Sequence, residues 1–309
     1  MNSLQVIQAG PWASLQDSGR QGVGRLGLTQ GGPADLHAWA WANQLVGNPW
    51  GTAALEILFG GLQLEVQGSA WICVTGADLG ACLDGEALPL WQPVRVNSGQ
   101  ILSWHSPRQG LRAYCAVAGG FPGLPITLGS VACVVREGLG GHLGRGQCLE
   151  SGDQLHLAED TPSPPRSKPP GCLQPDYSSP AELALLPGAQ IASFSGASLF
   201  AAFNQPWQVD QRADRMGIRL VGPRLHYQGQ AMISEAITLG GVQVPPDGQP
   251  YVLLNDRQTL GGYPRLGNLT PLACARLAQC PPGHPLRLRA VSQGQAVQEY
   301  RAFRAQFNT

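Results

Sequence analysis

The tetrapeptide Pro245-Pro246-Asp247-Gly248 does most to limit how this chain can fold. Proline presets the backbone angle at the first corner of a tight turn, and glycine supplies the positive φ at its exit. Apolar residues flank the turn on both sides, so residues 241–245 and 249–254 are expected to form the two strands of a hairpin. The second strand, Tyr251-Val252-Leu253-Leu254, runs directly into Asn255, Asp256, Arg257, Gln258 and Thr259. Polar side chains at the end of a buried strand have to be paired or put to use. Gly261-Gly262, followed by Tyr263, then lets backbone come close to whatever occupies that end.

The same punctuation recurs along the chain. With 41 glycines and 26 prolines in 309 residues, turns are frequent and the expected class is mainly β. Leu62, Leu64 and Val66 alternate with Gln63 and Glu65, residues 71–75 form an apolar run, and residues 112–118 form another strand. Asp84-Gly85 and Ser98-Gly99 mark turns between them. Helices are expected over 33–46, with Pro33 at the first position and Asp35 in the first turn, and over 198–203. Thr270 caps a third helix running to 279, and Ser292 with Gln295 makes a capping box for a last helix reaching about 307. On that last helix Val297, Tyr300, Phe303 and Phe307 are expected to face inward. The proline-rich tract over 161–171 reads as a linker, dividing the chain into 1–160, a linker 161–180, and 181–309. The second half is expected to open with a strand near 192–194.

Composition removes several classes of function. Twenty basic and twenty acidic residues balance, and charged residues make up only 13%, so no electrostatic footprint for nucleic acid or an anionic membrane is present. No apolar run has membrane-spanning length, and the first residues, MNSLQVIQAGPW, lack a signal-peptide pattern, which sets cytoplasmic as the expected location. Eight cysteines form no C-x-x-C pair and six histidines no H-x-x-x-H, so reduced core cysteines and no metal site are expected. Lys168 is the one lysine and it lies in the proline tract, which excludes a phosphate-loop or Schiff-base lysine from this chain. Any ATP would have to be held by arginines or by another subunit.

Several residues have both a structural and a functional reading. On a strand, Arg215, Gly217 and Arg219 share one face while Met216, Ile218 and Leu220 face the core. Two arginines there either clamp a carboxylate or phosphate or simply meet water. Glu56 stands inside the apolar run Leu55-Glu56-Ile57 and wants a partner, as a salt bridge or as a site residue, and Asp78 at a strand end carries the same two readings. Gln16, Asp17 and Arg20 fall together on a glycine-rich segment, where Asp17 and Arg20 either pair to order a loop or form the lip of a pocket.

Motifs in order along nearly the whole chain carry a family resemblance. They are Ser14-Leu15-Gln16-Asp17-Ser18-Gly19-Arg20, Ala42-Asn43 with Leu45-Val46-Gly47-Asn48, Ala54-Leu55-Glu56-Ile57, Thr75-Gly76-Ala77-Asp78, Arg215-Met216-Gly217-Ile218-Arg219-Leu220 and the stretch from Ser234 to Tyr263. With them the chain resembles the carboxyltransferase-like family that includes the C-type subunit of 5-oxoprolinase, the second subunit of allophanate hydrolase, kinase-inhibitor antagonists and the carboxyltransferase domain of urea carboxylase. The resemblance implies two cyclophilin-like β-barrel halves with a few short helices. It implies a subunit of an ATP-dependent 5-oxoprolinase that opens the lactam of 5-oxo-L-proline to L-glutamate. Its partners would be a second cyclophilin-like subunit of B type and a hydrolytic subunit of A type, with the position of ATP on this chain left open. Under that reading Arg215, Arg219 and Arg257 supply cations, and Asp256 or Glu235 handles a proton. Gln243, Gln258 and the amides of Gly261 and Gly262 act as donors, while Gln16, Asp17, Arg20, Glu56, Asp78, Thr259 and Tyr263 line the substrate pocket. Two alternatives share the scaffold. One is a biotin-dependent carboxyltransferase acting on urea or a similar small amide, although this sequence holds no biotin-carrier domain or biotinylated lysine. The other is a regulatory antagonist that binds an inhibitor of a histidine kinase.

Overall fold

The computed structural model describes residues 2–159 and 174–307, and the proline-rich tract read as a linker lies outside the described residues. The chain divides into two compact units. One comprises Met1–Gln21, Gly31–Asp176 and Gln306–Thr309, and the other Gly22–Gln30 and Tyr177–Ala305.

The first unit is built from two antiparallel sheets. One runs in the order Gln154–His156, Ser3–Gln8, Gln63–Gln67, Ile101–Ser103, Cys82–Leu83 and Glu86–Ala87. The other runs Trp12–Gln16, Ala54–Leu58, Gln109–Val117, Ala70–Asp78 and Pro93–Val96. The inward residues of both, among them Leu4, Leu64, Leu55, Ile72 and Cys115, share one hydrophobic core. Asp84 and Gly85 both take positive φ and form the two-residue turn between Cys82–Leu83 and Glu86–Ala87, as expected of an Asp-Gly pair. Helix α1, Leu36–Leu45, buries Trp39 and Trp41 and packs on the second sheet, where the Thr75 hydroxyl donates to the Ala38 carbonyl at 2.7 Å. It starts three residues later than the sequence suggests. Asp35 is itself the cap, accepting from the Ala38 amide at 2.9 Å, so Pro33 precedes the helix.

The second unit is a closed seven-stranded barrel. Around it the order is Ala181–Pro187, Arg265–Leu269, Gly241–Gln243, Tyr251–Leu253, Gly217–Val221, Trp207–Ala213 and Pro285–Ala290, which returns to Ala181–Pro187. That closing pair is parallel, whereas the other pairs of the barrel are antiparallel. The proline–aspartate–glycine hairpin forms as expected, with Val242 opposite Val252 and Gln243 opposite Tyr251. Leu183, Leu185, Trp207, Leu220, Val242, Val252 and Leu266 fill the interior. Helix α2 is Gly196–Asn204, helix α3 is Pro271–Leu277 with Thr270 as its cap, and helix α4 is Gln293–Arg304 with both bonds of the Ser292–Gln295 capping box present.

Two expectations are corrected here. The unit opens with the strand Ala181–Pro187, and Ile191–Ser193 is a single 3-10 turn, because the amides of Ile191, Ser193 and Phe194 bond to the carbonyls of Gly188, Gln190 and Ile191. On α4, Phe303 is the one buried residue while Val297 is exposed, and the helix ends at Arg304, before the buried Phe307. The chain as a whole is mainly β, with four α-helices among the described residues.

Candidate functional site

In the second unit, the polar run that follows Tyr251–Leu253 turns back sharply. Asn255 and Asp256 are buried, and the Asp256 amide donates to the Arg215 carbonyl at 2.8 Å. Arg215 returns the contact with two parallel bonds, Nε to Oδ2 at 2.8 Å and Nη2 to Oδ1 at 3.0 Å. This fork geometry fixes both planes and orients Asp256. Next along the chain, the half-buried Arg257 donates Nη1 to the Leu254 carbonyl at 3.2 Å and lies 3.5 Å from the Ile237 carbonyl through Nε. Thr29, from the Gly22–Gln30 segment of this unit, donates its hydroxyl to the Arg257 carbonyl at 3.2 Å. Burial pulls the Arg257 guanidinium below its ordinary value, so this cation is held by carbonyl dipoles in a poorly hydrated place.

Gln258 and Thr259 follow, half-buried, and lead into a two-stranded ribbon made of Glu235–Ala236 and Leu260–Gly261. Glu235 Oε1 accepts from Arg265 Nη2 at 2.8 Å and from Gln190 Nε2 at 3.1 Å. Gln243 stands opposite Arg265 in the barrel ladder, and Gly261 stands opposite Glu235 in the ribbon. Gly262 lies beside Ser234, and Tyr263 is exposed. Glu235, Gln243 and Gly261 thus come together, joined by two residues that the sequence does not single out, Gln190 and Arg265. Arg265 begins an alternating strand, Arg-Leu-Gly-Asn-Leu, and that pattern is the available signal; Gln190 offers none.

Arg215 and Arg219 do not share a face. The Asp214 carboxylate accepts from the amides of Met216 at 2.8 Å and Gly217 at 3.0 Å, which bends the chain and delays strand alternation until Gly217. Arg215 is left before the strand and is claimed by Asp256. Arg219 instead reaches the hairpin turn, with Nη2 2.8 Å from Asp247 and Nε 3.7 Å from Asp210. Asp210 is held at about 2, chiefly by bonds from Arg212, and the Gln249 amide lowers Asp247. A groove of about 640 Å³ opens beside this strand, lined by Gln208, Asp210, Arg212, Val221 and Gly283.

The remaining candidates belong to the first unit, where their contacts tie loops and strands together. Gln16 donates to Ser14 Oγ and to the Cys133 carbonyl, each at 3.0 Å. Asp17 accepts from the amides of Gly19 at 2.9 Å and Val131 at 2.8 Å, and from the Ser130 hydroxyl. Arg20 donates to the carbonyls of Thr127 at 3.2 Å and Ala132 at 2.7 Å. Asp17 and Arg20 therefore anchor the same 127–132 loop and do not pair with each other. Glu56 accepts from the Tyr114 hydroxyl at 2.7 Å and the Ala34 amide at 2.9 Å, with Arg112 3.8 Å away. Asp78 accepts from the Gly80 amide at 2.8 Å and faces Arg108 at 4.0 Å. Among the described residues no group of three histidine, cysteine or acidic side chains is placed to hold a metal, and no helix is long and apolar enough to cross a membrane.

Residues 26–290 match the model of the carboxyltransferase domain, subdomains A and B. The chain belongs to that carboxyltransferase-domain family. Its relatives within the family differ in length. The C-type subunit of 5-oxoprolinase from Escherichia coli K12 is 36% identical over 295 residues, which is 95% of this chain and 93% of that protein. A putative urea carboxylase of Emericella nidulans is 34% identical over 304 residues, which is 94% of this chain but 24% of that protein. Among solved structures, the Kluyveromyces lactis urea carboxylase superposes with a TM-score of 0.90 at 27% identity, covering 98% of this chain and 28% of that one. The carboxyltransferase-domain fold is therefore used both as a nearly whole protein and as about a quarter of a larger enzyme.

Proposed function

We propose that this chain is the C-type subunit of a 5-oxoprolinase, opening the lactam of 5-oxo-L-proline to L-glutamate with ATP. The observation that carries this reading is the match to the Escherichia coli 5-oxoprolinase subunit, 36% identical and spanning 93% of that protein, a higher identity than to the urea enzymes. A lactam carbonyl resists water because the ring nitrogen donates into it. A phosphoryl group from ATP would turn the lactam oxygen into an imidate ester; water adds to that carbon, the ring C–N bond breaks as the nitrogen takes a proton, and hydrolysis of the acyl phosphate so formed gives the carboxylate and phosphate.

The residues of this chain then have distinct tasks. Arg257, poorly hydrated and at the strand end, meets negative charge as it develops on the lactam oxygen. Arg215 and Asp256 hold that strand end in place, and the two bonds from Arg215 keep Asp256 from acting as a free base. Glu235, whose Oε1 is engaged by Arg265 and Gln190, is the group in position to carry a proton, and the Gly261 and Gly262 amides lie beside it as donors. Arg219 is committed to Asp247 and takes no part. In the first unit, Gln16, Asp17, Arg20 and Glu56 act by position, fixing loops rather than touching substrate. The partners are a B-type barrel subunit and an A-type hydrolytic subunit, and the complex works in the cytoplasm. The buried free thiols of Cys115 and Cys274 suit such a reducing compartment.

The test is a coupled assay of the three subunits with 5-oxo-L-proline and ATP, reading glutamate and ADP, with this chain omitted as control. Glutamate formed only in the complete mixture supports the reading. An assembled, folded complex that forms none overturns it.

A second reading is kept because of one observation, the TM-score of 0.90 to urea carboxylase. There the chain would be the A and B part of a carboxyltransferase and would receive a carboxyl group from biotin on another protein. Carboxylation of urea in the presence of a biotin carrier, with no lactamase activity, would favour it.

A further inference from the structure

Gln243 is 3% exposed, and among the described residues its carboxamide takes part in no hydrogen bond. Its neighbours Val242 and Val244 belong to the barrel core. Strand alternation therefore turns Gln243 to the other face, under the ribbon of Glu235–Ala236 and Leu260–Gly261. There Gly261 makes room for it, since a Cβ at that position would stand 2.6 Å from Gln243 Nε2. Two further polar atoms of the same cluster are buried without a partner, Arg265 Nε and Gln190 Oε1. Both residues spend another nitrogen on Glu235, at 2.8 and 3.1 Å, so their orientations are fixed. Buried carboxamide oxygens and guanidinium nitrogens are ordinarily satisfied, and two open ones beside a carboxamide with no partner among the described residues are unusual.

The chemistry of the cluster defines what fits it. A primary carboxamide shows one acceptor and one donor side by side in a plane. Its complement is an amide whose N–H and C=O lie on the same edge. A trans peptide bond places these groups on opposite sides and cannot make both bonds. A ring amide or a urea carries them on one edge. We infer that Gln243 reads the cis-amide edge of a small ligand under this ribbon, with Arg265 Nε donating to a carboxylate on the same ligand and Gln190 Oε1 accepting from a donor. Taken with the lactamase reading, on which the identity of the ligand rests, the ligand is 5-oxo-L-proline: its lactam meets Gln243 and its carboxylate meets Arg265. Urea shares the edge but lacks the carboxylate.

Binding to the full-length chain, followed by calorimetry and by the side-chain amide signals of Gln243 in NMR, tests the inference. The probes are 5-oxo-L-proline, 2-pyrrolidinone (the lactam alone), L-proline (the carboxylate alone) and urea. The Gln243 side-chain amide is expected to shift with the cis-amide probes and not with L-proline. Gln243→Leu should weaken those probes by about tenfold or more, as loss of two hydrogen bonds implies. Gln243→Glu, which keeps the size and one acceptor, should weaken them too. Arg265→Gln should weaken 5-oxo-L-proline while leaving 2-pyrrolidinone unchanged. Equal binding by wild type and Gln243→Leu, or no shift at the Gln243 amide with any cis-amide at millimolar concentration, overturns the subsite; the amide signal decides the matter even if Gln243→Leu does not fold. The two readings also fail separately. Glutamate formation with an unchanged KM in Gln243→Glu sinks the subsite and leaves the lactamase standing. Gln243-dependent binding of urea in a complex that makes no glutamate sinks the lactamase and leaves the subsite standing.

Discussion

Asp256 gives both carboxylate oxygens to Arg215, at 2.8 and 3.0 Å, and both side chains are buried. Removing either partner strands a charge away from water, which costs about 3–5 kcal/mol. Asp256→Ala and Arg215→Ala should each lose stability on that scale in urea unfolding. The double variant Arg215→Met with Asp256→Leu should recover most of it, because two apolar groups leave no unpaired charge. Its turnover in the assembled complex should stay low, since the strand end bearing Arg257 is no longer fixed.

Tyr114 is sealed in the first unit with its hydroxyl on Glu56, and burial, reinforced by that carboxylate, raises the phenol well above its usual 10. In the unfolded chain the phenol ionises near 10, while in the folded chain it stays protonated. Its contribution is therefore complete below pH 10 and is lost as pH climbs beyond it. Tyr114→Phe should lose about 1–3 kcal/mol at neutral pH by leaving Glu56 short of a donor. Its stability should also fall less steeply than that of wild type between neutral pH and the alkaline limit, as read from unfolding curves across that range.

Asp210 provides the opposite sign. Its carboxyl is held down to about 2 from 3.8, first by the hydrogen bond from Arg212. The stabilisation is present above 3.8 and disappears as pH drops towards 2. Arg212→Ala should shift the acid-unfolding midpoint upward and lower stability near neutrality only slightly, because water screens so exposed a pair. An unaltered acid midpoint would show that the pair contributes nothing in solution.

Ser292 and Gln295 exchange two bonds at the start of α4. Ser292→Ala should cost about 1 kcal/mol and fray the first turn, detectable as faster amide exchange at Gln295.

What the sequence makes readable follows from the range of the interactions involved. The hairpin around Asp247, the turn at Asp84-Gly85 and the caps at Thr270 and Ser292 are decided within four residues, and they form as read. The strand Ala181–Pro187 escapes such a reading because its partners begin at Arg265 and Pro285, far along the chain. The shared face drawn for Arg215 and Arg219 fails because a carboxylate at Asp214 captures two backbone amides before the strand begins. Glu235 and Gln243 are legible as polar residues among apolar ones. Arg265 and Gln190, the partners of Glu235, are not, since side-chain pairing across 30 and 45 positions leaves no local pattern.

The parallel seam between Ala181–Pro187 and Pro285–Ala290 joins the first barrel strand to the last. During synthesis, the earlier strand leaves the ribosome about a hundred residues before the partner that will cover its edge. Throughout that interval Leu183 and Leu185 sit on an open ladder able to pair with any exposed strand nearby. Translation speed over the last third of the message, and chaperone supply while it is read, should therefore govern the yield of soluble protein more strongly than the stability of the finished barrel.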